Sequence, residues 1–250
     1  MMLSVRLEWQ KARRKRLWLI ALGMAAVQGL WLAWAVRSMK PADAAQGFLG
    51  SLYQFPMINA IVMPVLIAVL MSRLCDMEHR GGGFKQLFPL QPAGRLFDAK
   101  LVLGGLYLLA VTALQLGSML LVGRWKGFGD TLLPSDAAMY LLGQFSVSML
   151  LALMLEGLSI RCRNQFVPLA AGLILGFLGL MSMYLSYALM HLSPASYYGL
   201  LSTVAMTWDR ATRVVTYFHR PFAWGDLAVV WATFAALYLW IRRSFARMEV

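Results

Sequence analysis

Long uncharged runs alternate along this chain with short basic clusters. Leu17 to Val36 holds no charge over 20 residues, enough at 1.5 Å per residue to cross a hydrocarbon core of about 30 Å. A second run, Ala44 to Ser72, predicts a span over 52–74, with Pro56 and Pro64 inside it. Third and fourth spans are predicted over 101–123 and 137–160, and a fifth over 166–190. A last span over 221–241 has a charge-free stretch of only 15 residues, Leu227 to Ile241, so the segment around Trp224 has to complete it. The pattern predicts an all-α membrane protein with six transmembrane helices in a single domain covering 1–250.

The segments between the runs differ in kind. Residues 1–16 carry Arg6, Lys11, Arg13, Arg14, Lys15 and Arg16 beside Leu3, Val5, Leu7 and Trp9, which predicts an amphipathic helix lying along the membrane surface. A basic start before an apolar run also describes a signal peptide, with Ala42-Asp43-Ala44 as its cleavage site. The run is longer than the usual signal core of about 7–15 residues, so a retained first span is expected. Residues 191–224 break the simple alternation with Tyr197, Tyr198, Trp208, Tyr217 and Trp224, which predicts an outer loop with interfacial or re-entrant pieces.

Composition agrees with lipid as the main solvent. Hydrophobic residues make up 60% of the chain and charged residues 14%, against about 25% in soluble proteins. The net charge of +12 is dispersed in clusters between apolar runs rather than gathered in one stripe, which sets orientation and argues against nucleic-acid binding. On the six-span reading, sixteen Lys and Arg fall on one side and seven on the other, placing both termini in the cytoplasm. Cys75 and Cys162 lack metal spacing and read as reduced, small apolar fillers.

Enzyme chemistry is not visible. There is no HExxH pattern and no GxSxG elbow, and Gly81-Gly82-Gly83-Phe84-Lys85 lacks the spacing of a phosphate-binding loop. No cofactor is therefore expected on this chain. Glu156 is the carboxylate nearest bilayer depth; pairing with Arg161 or Arg163 competes there with a role in transport. Gly172, Gly176 and Gly179 form a small-residue face, a candidate for packing between subunits. Asn59 is placed to hydrogen-bond a neighbouring helix.

The polar island from 75 to 100 carries the sharpest signal. Glycines 81–83 permit a sharp turn, and Pro89 and Pro92 isolate a short piece at 84–88. That piece offers Phe84, Leu87 and Phe88 as an apolar knob, with Arg80, Lys85 and Arg95 as a charged rim. The alternative is a solvated connector. The series Glu78, Gly83, Lys85, Leu87, Pro92, Arg95 and Lys100 resembles a segment of ABC transporter permeases of the type-2 exporter family, especially the lantibiotic-immunity and bacitracin-resistance subgroup. Phe84 departs from the threonine or serine common there.

That resemblance implies a multi-pass protein of the bacterial plasma membrane whose 75–100 segment docks on a separate ABC ATP-binding dimer carrying ATP and magnesium. It implies a second permease, identical or paralogous, and a substrate such as an antimicrobial peptide or another amphipathic compound drawn from the membrane lipid. A non-transporting membrane scaffold with a cytoplasmic docking loop is the competing expectation.

Overall fold

A computed structural model describes residues 2–39, 44–79, 92–209 and 215–246. The helices are α1 (Met2–Arg14), α2 (Trp18–Ala35), α3 (Gly47–His79), α4 (Ala93–Lys126), α5 (Pro134–Arg161) and α6 (Phe166–Ser182). Two single turns follow, α7 (Tyr187–Met190) and α8 (Tyr197–Leu200), flanking a 3-10 turn at Pro194–Ser196. Strands β1 (Val204–Trp208) and β2 (Val215–His219) form an antiparallel pair, and α9 (Trp224–Ala246) closes the chain.

By length and composition, α2, α3, α4, α5 and α9 suffice to cross a membrane, and α6 is a shorter apolar helix. The expected fifth span to Met190 is corrected, because helical geometry stops at Ser182. A tight turn follows, and Ser186 adopts an extended conformation (φ −62°, ψ 153°) before α7 restarts. The predominantly helical membrane fold agrees with the all-α expectation, to which a short hairpin within 191–224 is added. Its strands pair Val204 with His219 through Trp208 with Val215. Val, Thr, Tyr, Phe and Trp favour this extended backbone.

Helices α3, α4 and α5 form the centre. Phe55, Met63, Ile67, Leu70, Leu103 and Leu151 are among the side chains fully withdrawn from the surface. Helix α6 lies along α3, α2 leans on α4, and α9 leans on α5 and α4. Leucines and tryptophans of α2 and α9, such as Leu30, Trp34, Leu239 and Trp240, face outward, as lipid-contacting positions do.

The α3–α6 contact has a specific backbone cause. Pro64 lies inside α3 and has no N–H, so the carbonyl of Ala60 loses its regular helical donor. On that side of α3 the glycines of α6 draw close. A Cβ on Gly179 would stand 2.6 Å from Ala60 O, and one on Gly176 would stand 2.4 Å from Ile61 O. Gly172 faces Pro64 O in the same way, at 2.7 Å. Only hydrogen fits, and the approach brings Cα–H groups toward these carbonyls. The glycine face expected to meet another subunit is therefore filled from within the chain.

The end of the bundle opposite α1 is closed by polar clamps. Asp130 accepts from the backbone N–H groups of Phe48 and Leu49, both at 2.9 Å, and so caps the start of α3. Gln46 holds β2 by accepting from Tyr217 N (3.0 Å) and donating to Tyr217 O (3.3 Å). Arg220, buried enough that desolvation lowers its pKa, donates to the carbonyls of Ser202, Leu200 and Gly199.

Candidate functional site: a buried charge quartet beside residues 80–91

The polar island is shorter than its sequence indicates. Helix α3 continues through His79 and α4 begins at Ala93, so Glu78 and Lys100 belong to helices rather than to a loop. Gly83, Phe84, Lys85, Leu87 and Phe88 lie outside the described residues. Pro92 stands at the N-cap of α4, where its fixed φ of −57° leads into the helix, and Arg95 is exposed on the first turn.

Glu78 and Lys100 are turned into the bundle. Lys100 is 0% exposed, and its ammonium donates to Glu8 Oε2 (2.7 Å), Leu74 O (2.7 Å) and Glu78 Oε1 (3.3 Å). An ammonium has three N–H donors, and these contacts account for all of them. Lys11 completes the group, donating to Glu8 Oε1 (2.8 Å) and Glu78 Oε1 (2.9 Å). Two carboxylates thus face two ammonium groups, a balance that offsets the cost of taking these charges out of water.

Burial alone would push the Glu8 carboxyl upward. Lys100 and Lys11 more than reverse that, so it titrates below its ordinary range. Lys11, drawn down by partial burial, is lifted above its ordinary value by its bonds to Glu8 and Glu78.

Helix α1 supplies two of the four, Glu8 and Lys11, against expectation. Its inward face carries Glu8 and Ala12, while Leu7 and Trp9 are about half exposed. Trp9 also stacks on Tyr107 of α4, with ring centroids 6.0 Å apart. Amphipathicity is present, but the bundle takes the carboxylate and leaves apolar side chains outward. Sequence reasoning did not single out Glu8. Its signal is that it is the sole acidic residue among the first 42, set amid six cations.

Neighbouring contacts fix the same end. Asp98 accepts from Tyr238 OH (2.7 Å) and pairs with the Arg242 guanidinium (3.1 Å), fastening α9 to α4. Glu156 contradicts the expected pairing with Arg161 or Arg163. Arg161 instead donates to Ser244 Oγ and lies over the Trp240 ring, and Arg163 is exposed. Glu156 is fully buried, and neither of its oxygens has a hydrogen-bond partner among the described residues. Cys75 is buried close by as a free thiol, and Cys162 is half-buried.

A second polar group lies between the bundle ends, and of its members the sequence pointed only to Asn59. Asn59 accepts from Gln28 (2.7 Å) and donates to Gln144 (2.8 Å). Gln115 donates to Gln28 (2.6 Å) and accepts from Tyr140 OH (2.7 Å). These amides come from α2, α3, α4 and α5, one from each, so the network ties four helices together. The expected interhelical bond of Asn59 is present.

The helices of this bundle correspond to a known transporter class. A family model described as "ABC-2 family transporter protein" matches residues 4–179. The chain belongs to the ABC-2 transporter family. A comparison with curated proteins found no match. ABC-2 membership makes the protein a multi-pass permease component of an ABC transporter and implies an ATP-binding partner subunit. The matched region contains α1 through most of α6, and so includes all four members of the quartet.

Proposed function

We propose that this ABC-2 protein is the permease of an ATP-driven exporter in a bacterial plasma membrane, with both termini cytoplasmic. It moves antimicrobial peptides of the lantibiotic or bacitracin kind, or other amphipathic compounds, out of the membrane and so confers immunity or resistance. A separate ABC ATPase dimer holds ATP and magnesium. It docks on residues 80–91 with Phe84 and Leu87 at the centre of the contact. A second permease, identical or paralogous, completes the transporter.

The observation that carries this reading is the charge quartet. Residues 80–91 are bracketed by α3 and α4; Glu78 is next to the last residue of α3, and Lys100 lies about two turns into α4. Both bond to α1, so a push on the bracketed segment is shared among three helices at once. A connector that only joined two spans would need no such buried ionic tie. Lipid-facing apolar surfaces on α2 and α9 suit a substrate that arrives through the bilayer.

Co-expression with an ABC ATP-binding subunit from the same organism tests the reading. The wild-type chain is expected to purify with that ATPase, and Phe84→Asp/Leu87→Asp is expected to lose the complex and peptide resistance while remaining in the membrane. Resistance that survives the double substitution, or a wild-type chain that never binds the ATPase, would refute it.

A further inference from the structure

At the basic end of the bundle, a cavity of about 560 Å³ opens between α1, the α1–α2 junction and the last turns of α3. This volume is within the range of ordinary ligand sites. Arg14, Lys15 and Arg16 line it from one side and Arg73 from the other. All four are exposed. Of the other charged lining groups among the described residues, Lys11 and Glu78 already serve the quartet, which leaves Asp76 as the remaining carboxylate. The mouth is strongly cationic.

Its shape is held by an unusual residue. Arg16 has φ +54°, the only left-handed non-glycine among the described residues, at a cost of about 1–2 kcal/mol. The strained turn separates α1 from α2 and sets three consecutive cations at the cavity rim. Leu17, Ile20 and Met77 form its apolar lining. From there the outward face of α2 continues as Trp18, Leu19 and Leu22, each nearly half exposed. One end of the site suits a phosphate oxygen cluster, for which guanidinium groups are well matched. The other end suits hydrocarbon.

We infer that this cavity binds the phosphodiester headgroup of an anionic membrane lipid, whose acyl chains lie along the outward face of α2. The continuity of cationic rim and apolar helix favours a lipid over a free anion, which would use only the rim. Basic pockets beside membrane helices hold lipid headgroups on this physical basis. The inference goes beyond the proposed transport function and does not depend on which compound is carried.

The test uses the purified full chain, delipidated and returned to phosphatidylcholine nanodiscs with or without phosphatidylglycerol. Native mass spectrometry reads the retained lipid, and thermal unfolding reads protection. Arg14→Gln/Arg73→Gln removes two cavity charges; Arg6→Gln/Arg13→Gln removes two from α1 outside the cavity. Phosphatidylglycerol should be retained over phosphatidylcholine. The cavity pair should weaken retention about thirtyfold, at about 1 kcal/mol for each cation lost, with the control pair little changed. Unfolding in phosphatidylcholine alone checks that both variants fold. Equal losses in the two pairs would overturn the inference, as would equal retention of phosphatidylcholine. Protection by inorganic phosphate matching that by the lipid would overturn it in favour of a free anion.

Discussion

Lys100 on α4 donates to Glu8 on α1 across 2.7 Å, although 92 residues separate them in sequence. The contact is wholly buried, and Glu78 and Lys11 close it into a group of four. Lys100→Met alone strands two carboxylates with one half-exposed ammonium. Breaking a buried pair in this way costs about 3–5 kcal/mol. A large drop in thermal midpoint is expected, and Glu8→Gln added to Lys100→Met should recover part of it. A single substitution without effect would mean that the quartet does not hold the helices.

Gly176 tests whether the small-residue face is internal. A side chain there meets the Ile61 backbone, which cannot move aside as a flexible side chain can. Gly176→Val should separate α6 from α3 and lower the thermal midpoint without altering subunit stoichiometry. Loss of oligomer at an unchanged midpoint would place the face between chains instead.

Asn59 and Glu156 are both buried polar groups, yet they should respond in opposite directions. Asn59→Leu leaves Gln28, Gln115 and Gln144 short of partners and should cost about 1–2 kcal/mol. Glu156→Met removes a group whose oxygens have no partner among the described residues, so stability should hold or rise. Denaturation in a common detergent compares them. A more stable Glu156→Met that no longer confers resistance would mark this carboxylate as kept for function.

His191 predicts a pH dependence at the other end of the bundle. Its Nε2 faces Asp226 Oδ1 at 3.0 Å and its Nδ1 faces Tyr187 O at 2.8 Å, so both ring nitrogens meet acceptors. The Asp226 bond, followed by the Tyr187 bond, lifts its pKa above the ordinary value of about 6.5. A raised folded value means that the stabilisation is complete below about pH 6.5 and fades as pH climbs through the raised value. The midpoint difference between wild type and His191→Gln should therefore hold below about pH 6.5 and shrink above it. A constant difference would remove the charge from the explanation.

Much of the architecture was legible because lipid imposes a simple rule on each helix separately. Uncharged runs of about 20 residues marked α2 to α5 without any knowledge of neighbours. What escaped depends on several helices at once. Gln28, Asn59, Gln115 and Gln144 are each an isolated polar residue in its own run, and they become a network only when four helices are packed. Glu8 was hidden because an acid among six cations looks like a minor change in topology charge. The hairpin was nearer to reach, since Val-Thr-Tyr-Phe over 215–218 already favours a strand. Charge placed Glu78 and Lys100 in a loop, whereas each found its counter-charge inside the bundle.

On the proposed function, the quartet carries motion between the bracketed 80–91 segment and α1. The triple variant Glu8→Gln/Glu78→Gln/Lys100→Met removes both signs of buried charge together, which spares the fold far better than stranding one. Reconstituted with its ATPase, this variant should still assemble and hydrolyse ATP. Substrate moved per ATP should fall about tenfold, within the usual coupling range of about 1–3 kcal/mol. Transport per ATP equal to wild type in an intact complex would contradict the claim.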